Sequence, residues 1–160
     1  MGSHCVRGLC DAEHEVVIYD DLVHGGHREA VDRRAELVVA GLADGARLDR
    51  TFAEGRFDAV MHFAASAEVG ESVREPLSYY RNNVINTVSL LEVMRRHEVR
   101  KLVFSSTCAV YGAPPSMPIT EDMPKNPINP YGRTKLAIEW ALQDSAVAWG
   151  LGATALRYFN

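Results

Sequence analysis

Short apolar runs alternate along this chain with longer stretches in which apolar residues return every three or four positions. The runs are 15–20 (EVVIYD), 36–40 (ELVVA), 58–63 (DAVMHF), 100–106 (RKLVFSS) and 153–159 (ATALRYF). Each is rich in aliphatic or β-branched residues and bounded by turn signals, the pattern of strands buried on both faces of a parallel sheet. Between them, 46–54 predicts a short helix and 76–97 a long one, with Leu77, Tyr80, Val84, Val88, Leu91 and Met94 in line. A third helix is expected over 131–149, with Leu136, Trp140 and Val147 aligned. Strands alternating with helices predict a doubly wound, mostly parallel α/β sheet. No repeat, low-complexity tract or Gly/Ser linker divides residues 1–160, so one domain is expected.

Its two ends break the rhythm. Residues 1–14 read as the body of a helix, with Val6, Leu9 and Cys10 on one side and no capping residue at the start. The chain stops at Asn160, directly after an apolar run. The expectation is a domain incomplete at both ends.

Composition narrows the classes. Hydrophobic residues make up 47% and charged residues 24%, which excludes a disordered chain. Lys and Arg number 17 against 21 Asp and Glu, a net charge of −4, so no basic excess marks a nucleic-acid binder. No apolar run is long enough to span a membrane, and the start Met1-Gly2-Ser3-His4 lacks the features of a signal peptide. Cys5, Cys10 and Cys108 are odd in number and lack CxxC spacing, which favours a reducing cytoplasm over a disulfide framework or zinc site. His4, His14, His24, His27 and His97 show no ligand spacing with carboxylates, so no metal is expected.

Candidate chemistry starts at Tyr131-Gly-Arg-Thr-Lys135, behind Pro127 and Pro130, which can mark a helix start. Tyr131 and Lys135 are then i and i+4 on one face. A nearby ammonium favours phenolate and lowers a tyrosine's pKa from its usual value near 10, making it a usable base. Taken alone, the pair also fits a solvated surface pair. Ser105-Ser106-Thr107 closes the run 100–106 at a strand's carboxyl end, where open α/β sheets collect ligands. The same hydroxyls also suit a helix or turn cap.

Three further features remain open between chemistry and packing. Asp20, ending the first run, stands where a dinucleotide fold binds the adenosine ribose, or is a turn aspartate. The small residues after His62-Phe63 would let backbone approach a dinucleotide, or simply close a strand end. Asn82-Asn83 inside a helical stretch offers polar groups to a ligand or loop, or kinks the helix. Cys108, with no histidine near it in sequence, reads as a packed cysteine.

Together, YDDL (19–22), HFAA (62–65), VGESVREPLSYYRNNV (69–84), LVFSSTCAVYG (102–112), NPYGRTKLAIE (129–139) and LRYFN (156–160) resemble the extended short-chain dehydrogenase/reductases. The resemblance lies closest to their NAD-dependent sugar-nucleotide 4-epimerases. It runs in order over essentially the whole chain and implies a Rossmann-like domain that binds NAD and a UDP-sugar. In that case Tyr131 is the base at the sugar 4-hydroxyl, Lys135 bonds the nicotinamide ribose and lowers the tyrosine's pKa, and Thr107 bonds the reacting oxygen. Gly2, Asp20, Phe63, Ala64, Ala65, Asn83, Ser105 and Tyr158 would join Tyr131 and Lys135 at the cofactor, and Asn160 would grip the UDP-sugar.

The resemblance also implies expectations beyond the site. NAD is preferred to NADP, because the Asp20 carboxylate repels a 2′-phosphate. A homodimer would form through helices 76–97 and 131–149, with Ile85, Leu90, Ile138 and Leu142 as second-face apolar residues. The family's first strand, its phosphate-cradling glycine loop and its C-terminal sugar-nucleotide domain are expected to lie outside these residues. Ala67 stands where many relatives carry lysine, and Gly41-Leu42-Ala43-Asp44 lacks the acidic residue expected directly after Gly41. Cys108 and Ala109 follow Thr107 where dehydratase and decarboxylase relatives place acidic residues, which favours epimerisation. A pentose or uronic-acid UDP-sugar, or a non-catalytic NAD-binding fragment, are the alternatives.

Overall fold

A computed structural model describes residues 1–23 and 28–159. Asn160, assigned above to substrate, and His24 and His27 lie outside the described residues.

The elements follow the order that the apolar runs predict. They are α1 (Gly2–Asp11), β1 (Val17–Asp20), β2 (Glu36–Val39), α2 (Gly45–Glu54), β3 (Val60–His62) and α3 (Val69–Arg74). Then come α4 (Pro76–Tyr79), a π-helical segment (Tyr80–Ile85), α5 (Asn86–Arg96), β4 (Lys101–Thr107), α6 (Pro130–Trp149) and β5 (Gly152–Tyr158). Single 3₁₀ turns occupy Arg28–Ala30 and Cys108–Tyr111. Local chemistry accounts for several boundaries. The Asp44 side chain accepts from the Arg47 N–H to start α2, and Asn129 accepts from the Gly132 N–H to start α6. Pro130 occupies the first turn of α6, and Gly150 ends the helix in the left-handed conformation at φ 77°.

All strand pairs are parallel, as the continuous apolar runs imply. They form two ladders, β1–β2 and β3–β4–β5, with no ladder between β1 and β3 among the described residues. In the larger sheet, β4 is central, and Ser106 and Thr107 register with Arg157 and Tyr158 of β5. The main core joins Leu102 and Phe104 of β4, Leu90, Leu91, Val93 and Met94 of α5, Ile138 and Leu142 of α6, and Leu48 and Phe52 of α2. β5 departs from the expectation of a strand buried on both faces, since Gly152–Leu156 are exposed.

Helix faces depart further from the sequence pattern. The π-helical segment Tyr80–Ile85 interrupts the expected continuous helix over 76–97 and rotates the faces that follow it. Leu77, Tyr80 and Val88 are exposed, while Tyr79, Asn83, Thr87 and Leu90 are buried beside the expected Leu91 and Met94. In α6 the buried side carries Thr134, Lys135, Leu136, Ile138, Glu139 and Leu142; Trp140 and Val147 are 57% and 91% exposed. Of the four residues proposed for a second apolar face, Leu90, Ile138 and Leu142 are core residues and only Ile85 is exposed. Among the described residues, no helix is long and apolar enough to cross a membrane.

Candidate functional site

At the carboxyl end of β4, Ser105, Ser106 and Thr107 meet the first turns of α6. The Thr107 hydroxyl accepts from the Ala109 N–H at 3.2 Å and caps the 3₁₀ turn, so the capping reading of this cluster holds beside the chemical one. Two glycines permit the close approach. A Cβ at Gly132 would lie 2.7 Å from the Ala109 carbonyl oxygen and 2.9 Å from Pro127 Cβ, so only glycine lets α6 seat its first turn on the 108–111 turn. Gly112 adopts φ +65°, and a Cβ there would fall on the Asn126 carbonyl.

This seating brings the predicted catalytic group together. Tyr131 is half-buried, and the Thr107 side chain lies close enough to its phenol to favour the phenolate. Burial raises the Tyr131 pKa above its ordinary value, the nearby Thr107 side chain opposes that rise, and the neighbouring Cys108 adds to it. Lys135 is buried, its Nζ donating to the Ser105 carbonyl at 2.8 Å and lying 4.8 Å from the Phe104 ring centroid. Burial lowers the Lys135 pKa to about 8. The expected lowering of the tyrosine by this lysine is therefore corrected: Nζ is 6.0 Å from the Tyr131 ring centroid, and desolvation dominates the phenol.

Asn83, buried within the π-helical segment, clasps the loop after β3. Its Oδ1 accepts from the Ser66 N–H at 2.8 Å, while its Nδ2 donates to the Ser66 carbonyl at 3.0 Å and to Thr134 Oγ1 at 3.2 Å. Thr134 in turn donates to the Tyr131 carbonyl at 2.7 Å. The polar pair thus bonds a loop and also coincides with an irregular helix, joining two readings that the sequence left apart.

Behind the clasp, the Thr87 hydroxyl donates its proton to the Asn83 carbonyl. His62 Nε2, 2.8 Å from the same hydroxyl, must then be the donor, which fixes its tautomer. Burial, with Lys135 nearby, pushes the His62 pKa down to about 3. Its ring stacks on Phe104 at 5.8 Å, so histidine and lysine both lie against this one ring.

The remaining predicted positions spread along the strand ends. Phe63, exposed Ala64 and half-buried Ala65 lead from β3 to the clasped Ser66. Gly2 of α1 lies against Phe63, where a Cβ would sit 3.8 Å from its ring. Tyr158 pairs in register with Thr107. Asp20 ends β1 in the separate ladder, exposed, with Oδ1 accepting from the Leu22 N–H at 2.8 Å. A surface concavity lined by Phe52, Phe57, His97 and Val99 lies at the opposite, amino-terminal ends of β3 and β4.

Sequence reasoning missed Ser66, Thr134, His62 and Thr87. It also passed over Glu139 and Arg157, which form a buried bidentate ion pair beside the group. A polar residue recurring inside an apolar helical face was the available signal for Thr87 and Thr134.

The model of the NAD dependent epimerase/dehydratase family matches residues 1–160. The UDP-glucose 4-epimerase of Azospirillum brasilense is 50% identical over 160 residues, which are 100% of this chain and 46% of that protein. The crystal structure of UDP-glucose 4-epimerase from Brucella ovis in complex with NAD superposes with a TM-score of 0.96 at 50% identity, covering 99% of this chain and 48% of that one. A UDP-glucose-4-epimerase from Stenotrophomonas maltophila, with bound NAD and formylated UDP-arabinopyranose, gives a TM-score of 0.93 at 38% identity over 99% of this chain and 49% of that one. The chain spans about half the length of the curated relatives it matches.

Proposed function

Because the chain belongs to the NAD dependent epimerase/dehydratase family, we propose that the protein carrying it is an NAD-dependent UDP-sugar 4-epimerase, interconverting UDP-glucose and UDP-galactose. One observation carries the reading: a tyrosine phenol, a threonine hydroxyl and a buried lysine ammonium converge at the carboxyl end of β4. The chain's donor set fits the cofactor. An ammonium has three protons, and Lys135 commits one to Ser105, leaving others for ribose hydroxyls. Asp20 presents an exposed carboxylate of the sort that accepts from a ribose diol.

When bound, NAD supplies a reversible hydride acceptor for the sugar C4. Tyr131 would take the 4-hydroxyl proton as the C4 hydride leaves and would return it as that hydride is restored to the opposite face of the rotated 4-keto sugar, so no net oxidation results. Thr107 orients the reacting oxygen by hydrogen bonding. Lys135, anchored on the Ser105 carbonyl, would hold the nicotinamide ribose through its remaining ammonium protons. Cys108 and Ala109 offer no carboxylate beside Thr107 for elimination or decarboxylation.

A second reading, 4-epimerisation of a UDP-pentose, is supported by the UDP-arabinopyranose derivative in the Stenotrophomonas relative. The retained tyrosine–lysine pair argues against a non-catalytic fragment. We also propose a cytoplasmic protein, on its three free cysteines, and a homodimer. Exposed Leu77, Ile85 and Val88 on the 76–96 segment and Trp140 on α6 support the dimer. Sedimentation showing only monomer at micromolar concentration would remove that part.

The deciding assay incubates the full-length protein and NAD with UDP-galactose. UDP-glucose should appear without accumulation of NADH. Interconversion of a UDP-pentose alone would select the second reading, and turnover of no UDP-sugar would refute both.

A further inference from the structure

Glu139 and Arg157 stand in two motifs of the sequence, yet the mechanism above gives neither a task. Glu139 follows Lys135 by four residues, as Lys135 follows Tyr131, so the three share one face of α6. Its carboxylate is 3% exposed and fully engaged. Oε1 accepts from Ser106 Oγ at 2.6 Å and from Arg157 Nε at 3.0 Å, and Oε2 accepts from Arg157 Nη2 at 2.7 Å. Ser106 and Arg157 are register partners across β4 and β5, so one carboxylate grips both strands from the helix. Arg157 also donates to the Tyr111 hydroxyl and to the Glu121 carbonyl at 3.3 Å, and its guanidinium lies 5.0 Å over the Tyr111 ring.

The grip lies one residue from each reacting group. Ser105, before Ser106, holds Lys135 Nζ through its carbonyl, and Thr107, after it, lies beside the Tyr131 phenol. Tyr158, after Arg157, pairs with Thr107. Tyr111 belongs to the 3₁₀ turn on which Gly132 seats α6. A buried ion pair adds little net stability over an apolar pair of the same shape, but its directional bonds fix relative position.

We infer that the Glu139–Arg157 pair, acting through Ser106, is a positioning device that sets Thr107 and Lys135 against Tyr131. The inference rests on the epimerase reading for its catalytic consequence, though not for its geometry. Loosening the grip lets β4 move relative to α6. Tyr131 then loses the Thr107 neighbour that opposes the burial-driven rise in its pKa, and Lys135 loses its anchor.

The test uses the full-length protein with NAD bound. The variant Glu139→Gln with Arg157→Met keeps an acceptor for Ser106 and leaves no buried unpaired charge, so it preserves folding better than either single change. Ser106→Ala cuts only the link to β4 and serves if the double variant does not fold. Thermal melting reports folding, and phenolate absorbance against pH, with Tyr131→Phe subtracted, reports the tyrosine independently of turnover.

For a folded variant, kcat should fall about 10- to 100-fold with KM changed less than about threefold. The Tyr131 titration should move to higher pH by at least about half a unit. A folded variant with unchanged titration and kcat within about threefold of wild type would overturn the inference and leave the pair merely structural. Wild-type protein that turns over no UDP-sugar would refute the proposed function alone, and the titration would still decide the positioning role.

Discussion

Tyr131 is held by opposing forces whose balance defines its use. Partial burial resists phenolate, while the nearby Thr107 side chain favours it. Such a group works as a base when substrate and cofactor complete its surroundings. Replacing Tyr131 by Phe keeps the ring and removes the proton carrier. Turnover in the full-length protein should fall about 10²- to 10⁴-fold while NAD binding stays nearly intact. A variant that keeps more than about a tenth of wild-type turnover would place the base elsewhere. Asp20 supports a second outcome at this scale: competitive titration should show NAD bound more tightly than NADP, and equal or tighter NADP binding would contradict the role assigned to that carboxylate. The Tyr131–Lys135 pair could be read from sequence because i,i+4 geometry is local. The ion pair of Glu139 and Arg157 could not, since a carboxylate on a helix reads as a solvated face until its distant partner is placed.

At the scale of elements, the 76–96 segment shows how far periodicity carries. A regular helix advances about 100° per residue, so the wider turn at Tyr80–Ile85 redirects every later side chain. That is why one predicted apolar line divides, with Leu77 and Tyr80 exposed before the turn and Leu91 and Met94 buried beyond it. Asn83, placed inside a helix despite poor propensity, was the one local sign of the irregularity. The strands were readable because a short continuous apolar run marks a strand without any assumption about phase, whether or not both its faces are covered.

His62 of β3, bonded to Thr87 of the same segment, predicts a pH response. Burial holds His62 at about 3, against an ordinary value near 6.5. Below about pH 6.5 the unfolded chain takes up a proton that the folded chain refuses. The stabilisation is therefore complete above that pH and drains away as pH falls toward 3, by at most about 1.4 kcal/mol per unit. His62→Gln keeps a donor for Thr87 and removes the titration. Urea unfolding between about pH 6.5 and 5 should show a smaller loss of stability in this variant than in wild type. Equal slopes would mean that His62 is protonated in the fold.

For the molecule as a whole, the decisive feature is the separation of β1–β2 from β3–β4–β5. Two ladders that do not meet leave strand edges on β1 and β3 with backbone donors and acceptors unpaired by any sheet partner among the described residues. Each such group costs about 1–3 kcal/mol if buried unsatisfied, against a domain stability of about 5–15 kcal/mol. The proposed cofactor residues straddle the separation. Asp20 ends β1, whereas Phe63, Ala64 and Ala65 follow β3, and Lys135 and Tyr131 reach the site from beyond β4. An extended dinucleotide must touch both halves at once, so NAD affinity depends on how rigidly the two ladders hold their spacing. No ladder among the described residues fixes it. These 160 residues expressed alone should therefore bind NAD weakly and interconvert no UDP-sugar at a rate near that of a full-length relative. Calorimetric titration of NAD into the isolated chain, with a UDP-galactose assay alongside, checks this. Tight NAD binding together with full-length turnover would show that the helices alone keep the two sheets in register.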